Sequence, residues 1–264
     1  MYSFGFIGCG NMGGTLALKV SQNEKNIAVS DKSEAAAESI AKETGAAKTT
    51  NTVIAEKADF VVLGVKPQIL PYVLNEISPV IKERSDRFVI ISMAAGVEIK
   101  TITDALGNVP VIRIMPNTPA SVGEGVILYA VNENVKEDEK QTFEKAFSAA
   151  GEIYAVPESL IDAGSAVSGC GPAFVYMFIE ALADGGVKCG LPRALAIKLA
   201  AKTVAGSADT VLLSKKHPGE LKDNVCSPAG STIAGVEALE KNAFRGTVIS
   251  AVSSAFERTK QLGK

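Results

Sequence analysis

The feature that most restricts the fold of this chain is a glycine-rich turn directly after its first apolar segment. Residues 3–7 have the composition of a short β-strand, and the sequence continues as Gly8-x-Gly10-x-x-Gly13. Between a strand and a helix, this spacing allows a tight turn, close approach of a pyrophosphate and close packing of the helix on the strand. The free N–H groups at the start of the helix favour an anion. The pattern predicts a dinucleotide-binding βαβ unit at the start of the chain.

Segments of strand and helix character alternate up to about residue 155. Unbroken runs of Val, Ile and Leu, such as DFVVLGV at 59–65, are typical of strands buried on both faces of a parallel sheet. Beyond residue 157 the strand signal ends. We predict an α/β Rossmann-type N-terminal domain with a doubly wound, mostly parallel sheet over residues 1–157, and an all-α C-terminal domain over residues 158–264.

The individual elements are predicted from hydrophobic periodicity. The predicted strands are 3–7, 26–30, 59–65, 88–92, 111–115, 125–131 and 152–156, of which the last two extend the edge of the sheet. The predicted helices are 11–20, 34–43, 136–149, 174–182, 192–211, a helix that ends near 239, and 246–262. The helices of the C-terminal half are rich in alanine and glycine, which gives a two- or three-helix unit a thin core. We therefore expect this half to pack against its own N-terminal domain or against the same half of a second subunit.

Charge and composition exclude several classes of function. The chain has 27 Lys and Arg against 29 Asp and Glu, and the signs are interspersed, which gives no basis for binding nucleic acid or an anionic membrane. No apolar run approaches the ~20 residues of a membrane span, and the first residues do not resemble a signal peptide. The four cysteines are scattered without metal-ligand spacing, and we expect them to be buried and reduced. These observations predict a cytoplasmic protein without a metal.

The end of the second predicted strand bears on the choice of dinucleotide. Asp31 lies about 20 residues after the glycines, where an acid usually accepts the ribose hydroxyls of NAD and repels a 2′-phosphate. Ser30 and Lys32, its neighbours, are instead potential donors to a 2′-phosphate. The residues thus leave NADH and NADPH both open. Lys66 follows the next strand and is either a solvated lysine or a contact to cofactor phosphate or ribose.

A second dense stretch lies between His217 and Thr232. The segment SPAGSTI, residues 227–233, has the composition of a loop that leads into a helix, and a helix start favours an anion. Ser231 and Thr232 are there either as helix caps or as part of a carboxylate pocket with a hydroxyl donor. His217 is the only histidine and precedes a proline, so we interpret it as a helix-entry residue. With no catalytic triad or metal cluster, a cofactor must carry the chemistry.

At these residues the chain resembles the pyrroline-5-carboxylate reductase family, whose members catalyse the last step of proline biosynthesis. HPGELKDNVCSPAGSTIAGVEALE, residues 217–240, is similar to the family motif, and GFIGCGNMG, GVKPQIL, SMAAGV, MPNTPA, SGCGPAF and ADGGVKCGLPR match other blocks in order. The resemblance covers essentially the whole chain. Ala229 departs from a family glycine, which puts a positive φ at that position in question.

The resemblance implies an oxidoreductase that reduces the C=N bond of 1-pyrroline-5-carboxylate to L-proline, with hydride from NADPH or NADH. It implies that Ser231 and Thr232 hold the substrate carboxylate, with Glu158 as a further substrate-binding residue. The Thr232 hydroxyl is the implied catalytic partner of the imine nitrogen. The implied cofactor contacts are Gly8, Gly10, Asn11, Met12, Gly13, Ser30, Asp31, Asn51, Val65, Lys66, Ala95 and Asn224.

The resemblance also implies a homodimer with interlocked helical halves, sometimes assembled into a larger ring, and active sites shared between subunits. Two other functions compete with it. A β-hydroxyacid dehydrogenase has a similar layout but requires a lysine base, and residues 168–180 contain no lysine. A non-catalytic nucleotide sensor would need the glycine turn but not the SPAGST loop.

Overall fold

The computed structural model describes residues 1–262, which divide into two compact units. The first unit contains residues 1–170 and the end of the last helix from Ala255, and the second contains Gly171–Ser254. The sequence divides the domains at 157/158, where strands give way to helices. The compact units instead divide after Cys170, because the helix Glu158–Ser168 packs on the strand Gly125–Val131 of the sheet.

The first unit is built on one eight-stranded sheet in the order β3-β2-β1-β4-β5-β6-β7-β8. All neighbouring strands are parallel except β6 and β7, which are antiparallel. The strands are β1 (Tyr2–Ile7), β2 (Ile27–Ser30), β3 (Ala47–Lys48), β4 (Ala58–Leu63), β5 (Val89–Ser92), β6 (Val111–Met115), β7 (Gly125–Val131) and β8 (Gly151–Ala155). The Rossmann-type, doubly wound fold class is therefore confirmed, and the two last strands do extend the sheet edge.

Helices cover both faces of this sheet. Helices α1 (Asn11–Asn23), α2 (Glu34–Thr44) and α6 (Glu137–Phe147) contribute to the apolar core on one face. Helices α3 (Asn51–Lys57), α4 (Leu70–Glu83), α5 (Ile99–Leu106) and α7 (Glu158–Ser168) contribute to the core on the other. Successive strand residues alternate between the two cores, as Phe6 and Ile7 do in β1. This double burial explains the unbroken apolar runs of the sequence.

The second unit contains only helices. They are α8 (Gly171–Lys188), α9 (Arg193–Ser214), α10 (Pro218–Val225), α11 (Ser231–Lys241) and most of α12 (Phe244–Leu262). Its buried apolar cluster consists of Ala183, Ala196 and Ala200, between α8 and α9. Large apolar side chains are exposed, among them Leu213 at 83 % and Met177 at 70 %. The expectation of a thin core is confirmed for the described residues.

One helical stretch contradicts the expectation that no apolar segment is long enough to span a membrane. Residues Glu158–Lys188 are long and apolar enough, by length and composition, to cross a bilayer. The expectation that no run approaches that length was therefore wrong. This stretch consists of two helices, because α7 ends at Ser168 and α8 begins at Gly171.

Candidate active site

The glycine turn joins β1 to α1 at the carboxyl edge of the sheet, where the strand order reverses between β1 and β4. Gly8 has φ +103°, and a Cβ added to it would lie 2.7 Å from the carbonyl carbon of Gly64. A Cβ on Gly13 would lie 2.1 Å from the Gly8 oxygen. Gly10 differs, because a Cβ there would have no atom of the chain within 4 Å. Gly8 and Gly13 thus shape the turn, and the open space at Gly10 leaves room for a ligand.

The first turn of α1 contains Asn11 and Met12, both predicted cofactor contacts. Gly10 is the N-cap of this helix and has no side chain to cap it, and the first turn contains no acidic residue. The N–H groups of Asn11 and Met12 are therefore free to bind an anion beside Gly10.

Two adjacent cavities lie against this turn. A cavity of about 260 Å³ is lined by Gly8, Gly10, Val65 and Lys66, among others. A cavity of about 730 Å³ continues past the end of β2 and is lined by Ser30, Asp31, Lys32, Asn51, Tyr72 and Glu76, among others. Asp31, Lys32 and Asn51 line both. Seven predicted contacts therefore line one crevice: Gly8, Gly10, Ser30, Asp31, Asn51, Val65 and Lys66. Asn11 and Met12 follow Gly10 directly, in the first turn of α1.

The floor of the larger cavity has an ordered polar network. The Ser30 hydroxyl donates to Oδ1 of Asn51 at 2.8 Å, and Nδ2 of Asn51 donates to Oε2 of Glu76 at 2.7 Å. Both ends of the Asn51 amide are therefore fixed in direction. Glu76 lies on α4, a helix that the sequence analysis did not predict, so its part in this network was missed.

The Asp31 carboxylate accepts hydrogen bonds from the backbone of two turns. Its Oδ2 accepts the N–H of Cys9 and its Oδ1 accepts the N–H of Ser33, each at 2.7 Å.

Burial, with a smaller contribution from the Asp31 charge, raises the pKa of the Cys9 thiol to about 11. Cys9 is buried as expected, whereas Cys189 is exposed, and all four cysteines are free.

Glu158 also contacts the backbone. Its Oε1 accepts the N–H of Ile99, the first residue of α5, at 2.7 Å, and pairs with Nη1 of Arg113 at 3.2 Å. Nη2 of Arg113 pairs with Asp162 at 2.6 Å. Ala95, a predicted cofactor contact, lies half-buried in the turn between β5 and α5. Glu158 therefore fixes the start of the helix that follows the Ala95 turn.

Arg113, the partner of Glu158, was missed by the sequence analysis. It is 2 % exposed and lies in the middle of β6, within the run VIRIM. Among the described residues, its Nε is the one buried side-chain nitrogen or oxygen without a hydrogen-bond partner. A charged residue inside an otherwise apolar strand is itself a signal, because buried charges are retained where they are paired.

In the second unit, the segment Ser227–Gly230 leads into α11 as predicted. The N-cap of α11 is Gly230, and no side chain caps the helix. Ser231 and Thr232 are its first two residues, so the alternative that they act as caps was wrong. Within residues 1–262 neither hydroxyl has a hydrogen-bond partner in the chain. The helix start therefore offers free N–H groups beside two free hydroxyls.

Two other predicted residues lie in the second unit on α10. His217 is the N-cap of this helix, and its Nδ1 accepts the N–H of Gly219 at 3.1 Å. Its interpretation as a helix-entry residue is confirmed. Asn224 lines a cavity of about 440 Å³ between α9 and α10. In the described part of the chain, no group of three or more His, Cys, Asp or Glu residues could hold a metal ion.

Comparison with known proteins assigns both halves of the chain. Residues 158–262 match the model of the pyrroline-5-carboxylate reductase dimerisation domain. Residues 3–96 match the model described as NADP oxidoreductase, coenzyme F420-dependent.

Relatives match over most or all of the chain. A pyrroline-5-carboxylate reductase of Synechocystis is 45 % identical over 81 % of this chain and 79 % of the relative. Those of Pisum sativum and Methanosarcina acetivorans are 38 % and 42 % identical, and each match covers at least 96 % of both chains. The crystal structure of the Plasmodium falciparum pyrroline carboxylate reductase with NADP bound has a TM-score of 0.89 and 36 % identity, over 100 % of this chain and 98 % of that one.

Proposed function

The chain belongs to the pyrroline-5-carboxylate reductase family, and we infer from this that it reduces 1-pyrroline-5-carboxylate to L-proline in the last step of proline biosynthesis. It is an oxidoreductase that acts on a CH–NH group with NADPH, or with NADH as the alternative donor. The observation that carries the proposal is the start of α11, where no side chain among residues 1–262 caps the helix and the hydroxyls of Ser231 and Thr232 lie beside its first N–H groups. A generic dinucleotide-binding protein has no need of this feature.

The residues of the first unit fit a dinucleotide. The space over Gly10 is open, and the uncapped start of α1 has N–H groups for the pyrophosphate. Ser30, Asp31 and Asn51 line the larger cavity, where the adenosine ribose belongs in this fold. When bound, the nicotinamide supplies a hydride to the imine carbon. We assign Val65, Lys66 and Ala95 to its ribose and phosphate side. The family resemblance supports Asn224, on α10, as a further cofactor contact.

The start of α11 fits the acceptor. The N–H groups of its first turn, with Ser231 beside them, hold the substrate carboxylate, because a helix start favours negative charge. The Thr232 hydroxyl donates a hydrogen bond to the imine nitrogen. That bond orients the C=N group and stabilises the nitrogen as hydride reaches the carbon. A threonine hydroxyl is too weak an acid to supply the proton alone, so we assign the proton to water or to a substrate that is already protonated.

By the family resemblance, Glu158 is a substrate-binding residue. Its contacts in this chain add a positioning role, because the same carboxylate oxygen caps α5 and pairs with Arg113. We propose that it keeps the Ala95 turn and α7 in a fixed arrangement.

We further propose a cytoplasmic homodimer as the minimal functional assembly. The match to a dimerisation domain and the exposed apolar side chains of the second unit support a homodimer. A second copy that covers these side chains also accounts for the apolar stretch 158–188 without a membrane. The family's larger rings of dimers are the further assembly to test, by native mass measurement.

A cofactor-oxidation assay tests the function and its competitors. Loss of NADPH absorbance on addition of 1-pyrroline-5-carboxylate, with proline as the product, is the expected result. Cofactor binding without substrate-dependent oxidation would support the nucleotide sensor instead. Comparable turnover of a 3-hydroxy acid with NAD would support the β-hydroxyacid dehydrogenase.

A further inference from the structure

Asp31 lies where an acid commonly selects NADH, yet its contacts indicate a different task. We propose that Asp31 is a positioning residue: it locks the backbone of the glycine turn for the pyrophosphate and does not discriminate between NADH and NADPH. The inference deepens the proposed function, because it concerns the cofactor site of the same reaction. It is carried by two hydrogen bonds, from the N–H groups of Cys9 and Ser33 to the two carboxylate oxygens.

Ordering the turn that Asp31 holds costs conformational entropy. Gly8 and Gly10 flank Cys9, and glycines lose more conformational freedom on ordering than other residues. Only a few contacts fix the turn from outside, including the Gly8 N–H bond to the Ser30 carbonyl at 2.7 Å. The bond from Cys9 adds a charged acceptor at the centre of the turn, and charge-assisted hydrogen bonds are stronger than neutral ones. Asp31 thereby ties the glycine turn to the end of β2.

The same carboxylate also organises the next turn. Through Ser33 it fixes the start of α2, whose N-cap is Ser33. These bonds direct both oxygens toward backbone N–H groups, whereas an acid that selects NADH directs its oxygens to the ribose hydroxyls. The large cavity contains side-chain donors for a 2′-phosphate, with Lys32 next in sequence and exposed. Selection between the cofactors therefore belongs to Lys32 and its neighbours in the cavity.

Substitutions separate the two roles because NADPH and NADH share the pyrophosphate and differ only in the 2′-phosphate. Loss of an anchor for the pyrophosphate turn weakens both cofactors by the same factor. Loss of a ribose acceptor weakens NADH and strengthens NADPH. Asp31→Asn is informative beside Asp31→Ala, since its amide accepts one N–H but presents a donor to the other.

The experiment is a calorimetric titration of NADPH and of NADH, without substrate, into the wild-type protein and the variants Asp31→Ala, Asp31→Asn, Lys32→Ala and Glu43→Gln. We expect both Asp31 variants to raise Kd for both cofactors about tenfold, which corresponds to about 1.4 kcal/mol, with the NADPH/NADH ratio unchanged. Lys32→Ala should weaken NADPH alone. Glu43 is exposed at the far end of α2, so Glu43→Gln controls for the loss of one negative charge and should leave both Kd values unchanged.

A second measurement does not depend on the cofactor. Hydrogen exchange of the Cys9 amide should be faster in Asp31→Ala than in the wild-type protein, at equal melting temperature. Three results would each overturn the inference. They are a shift of the affinity ratio toward NADPH, unchanged Kd values for both cofactors, and unchanged hydrogen exchange of the Cys9 amide. If Asp31→Ala does not fold, the Asn variant decides. Because no substrate is present, failure to reduce pyrroline-5-carboxylate would refute the proposed function and leave this result intact.

Discussion

At the scale of single residues, Ala229 has an unfavourable backbone conformation. Its φ is +55°, in the left-handed region, where a residue with a Cβ costs roughly 1–2 kcal/mol. An alanine therefore holds a conformation that a glycine would adopt without strain. We predict that Ala229→Gly stabilises the protein by roughly 0.5 kcal/mol, because the relief exceeds the added chain entropy of glycine. Denaturant unfolding at fixed protein concentration measures this.

The control for Ala229→Gly is the same substitution at Ala234. Ala234 is within α11, where glycine is expected to destabilise by about 1 kcal/mol. If Ala229→Gly destabilises as Ala234→Gly does, the left-handed conformation of Ala229 is refuted.

Thr232 is the residue to which we assign the hydrogen bond to the imine nitrogen. We predict that Thr232→Ala lowers kcat/KM for pyrroline-5-carboxylate by about ten- to a hundredfold, since it removes a donor aimed at the developing charge. Thr232→Ser, which keeps the hydroxyl, should restore most of the activity. Steady-state kinetics at saturating NADPH test both, and equal kcat/KM for the alanine variant and the wild type would rule out the role.

At the scale of elements, the β1–α1 unit allows a matched pair of substitutions. Gly13→Ala should destabilise the fold by about 1–3 kcal/mol, because its Cβ would lie 2.1 Å from the Gly8 oxygen. Gly10→Ala should leave the melting temperature unchanged and raise the Kd of NADPH at least about tenfold, because its Cβ enters the open space left for the pyrophosphate. Thermal unfolding and NADPH titration of both variants check this. Normal NADPH binding by Gly10→Ala would mean that the ligand does not approach at that glycine.

Local sequence patterns predicted some of the strands and helices and missed others. Most strands and the start of α11 were predictable, because local patterns determine them: apolar runs, the glycine spacing and the SPAGST loop. Helix α4 was missed, since Pro71 and Pro79 disturb its pattern, and β3 has only two residues. The orientation of Asp31 was not predictable, because it depends on an N–H 22 residues away. The same holds for Arg113, whose two partners lie 45 and 49 residues further along the chain.

At the level of the whole molecule, the second unit exposes many large apolar side chains. Large exposed apolar patches mark interaction sites. Among the described residues, Leu213 and Ile249 are 83 % and 66 % exposed. We predict that the double variant Leu213→Asp with Ile249→Asp shifts the protein from dimer to monomer and abolishes activity. Light scattering coupled to size-exclusion chromatography reports the mass, and an active monomer would contradict the account.

In the proposed reaction, hydride passes from a dinucleotide bound at the glycine turn to the imine carbon of a substrate bound at the start of α11. The most direct test uses NADPH with deuterium at the transferable position, incubated with 1-pyrroline-5-carboxylate, followed by mass and NMR analysis of the product. We expect L-proline with one deuterium on the ring carbon that was double-bonded to nitrogen, in equal amount to the cofactor oxidised. Cofactor oxidation without labelled proline, or proline without label, would contradict it.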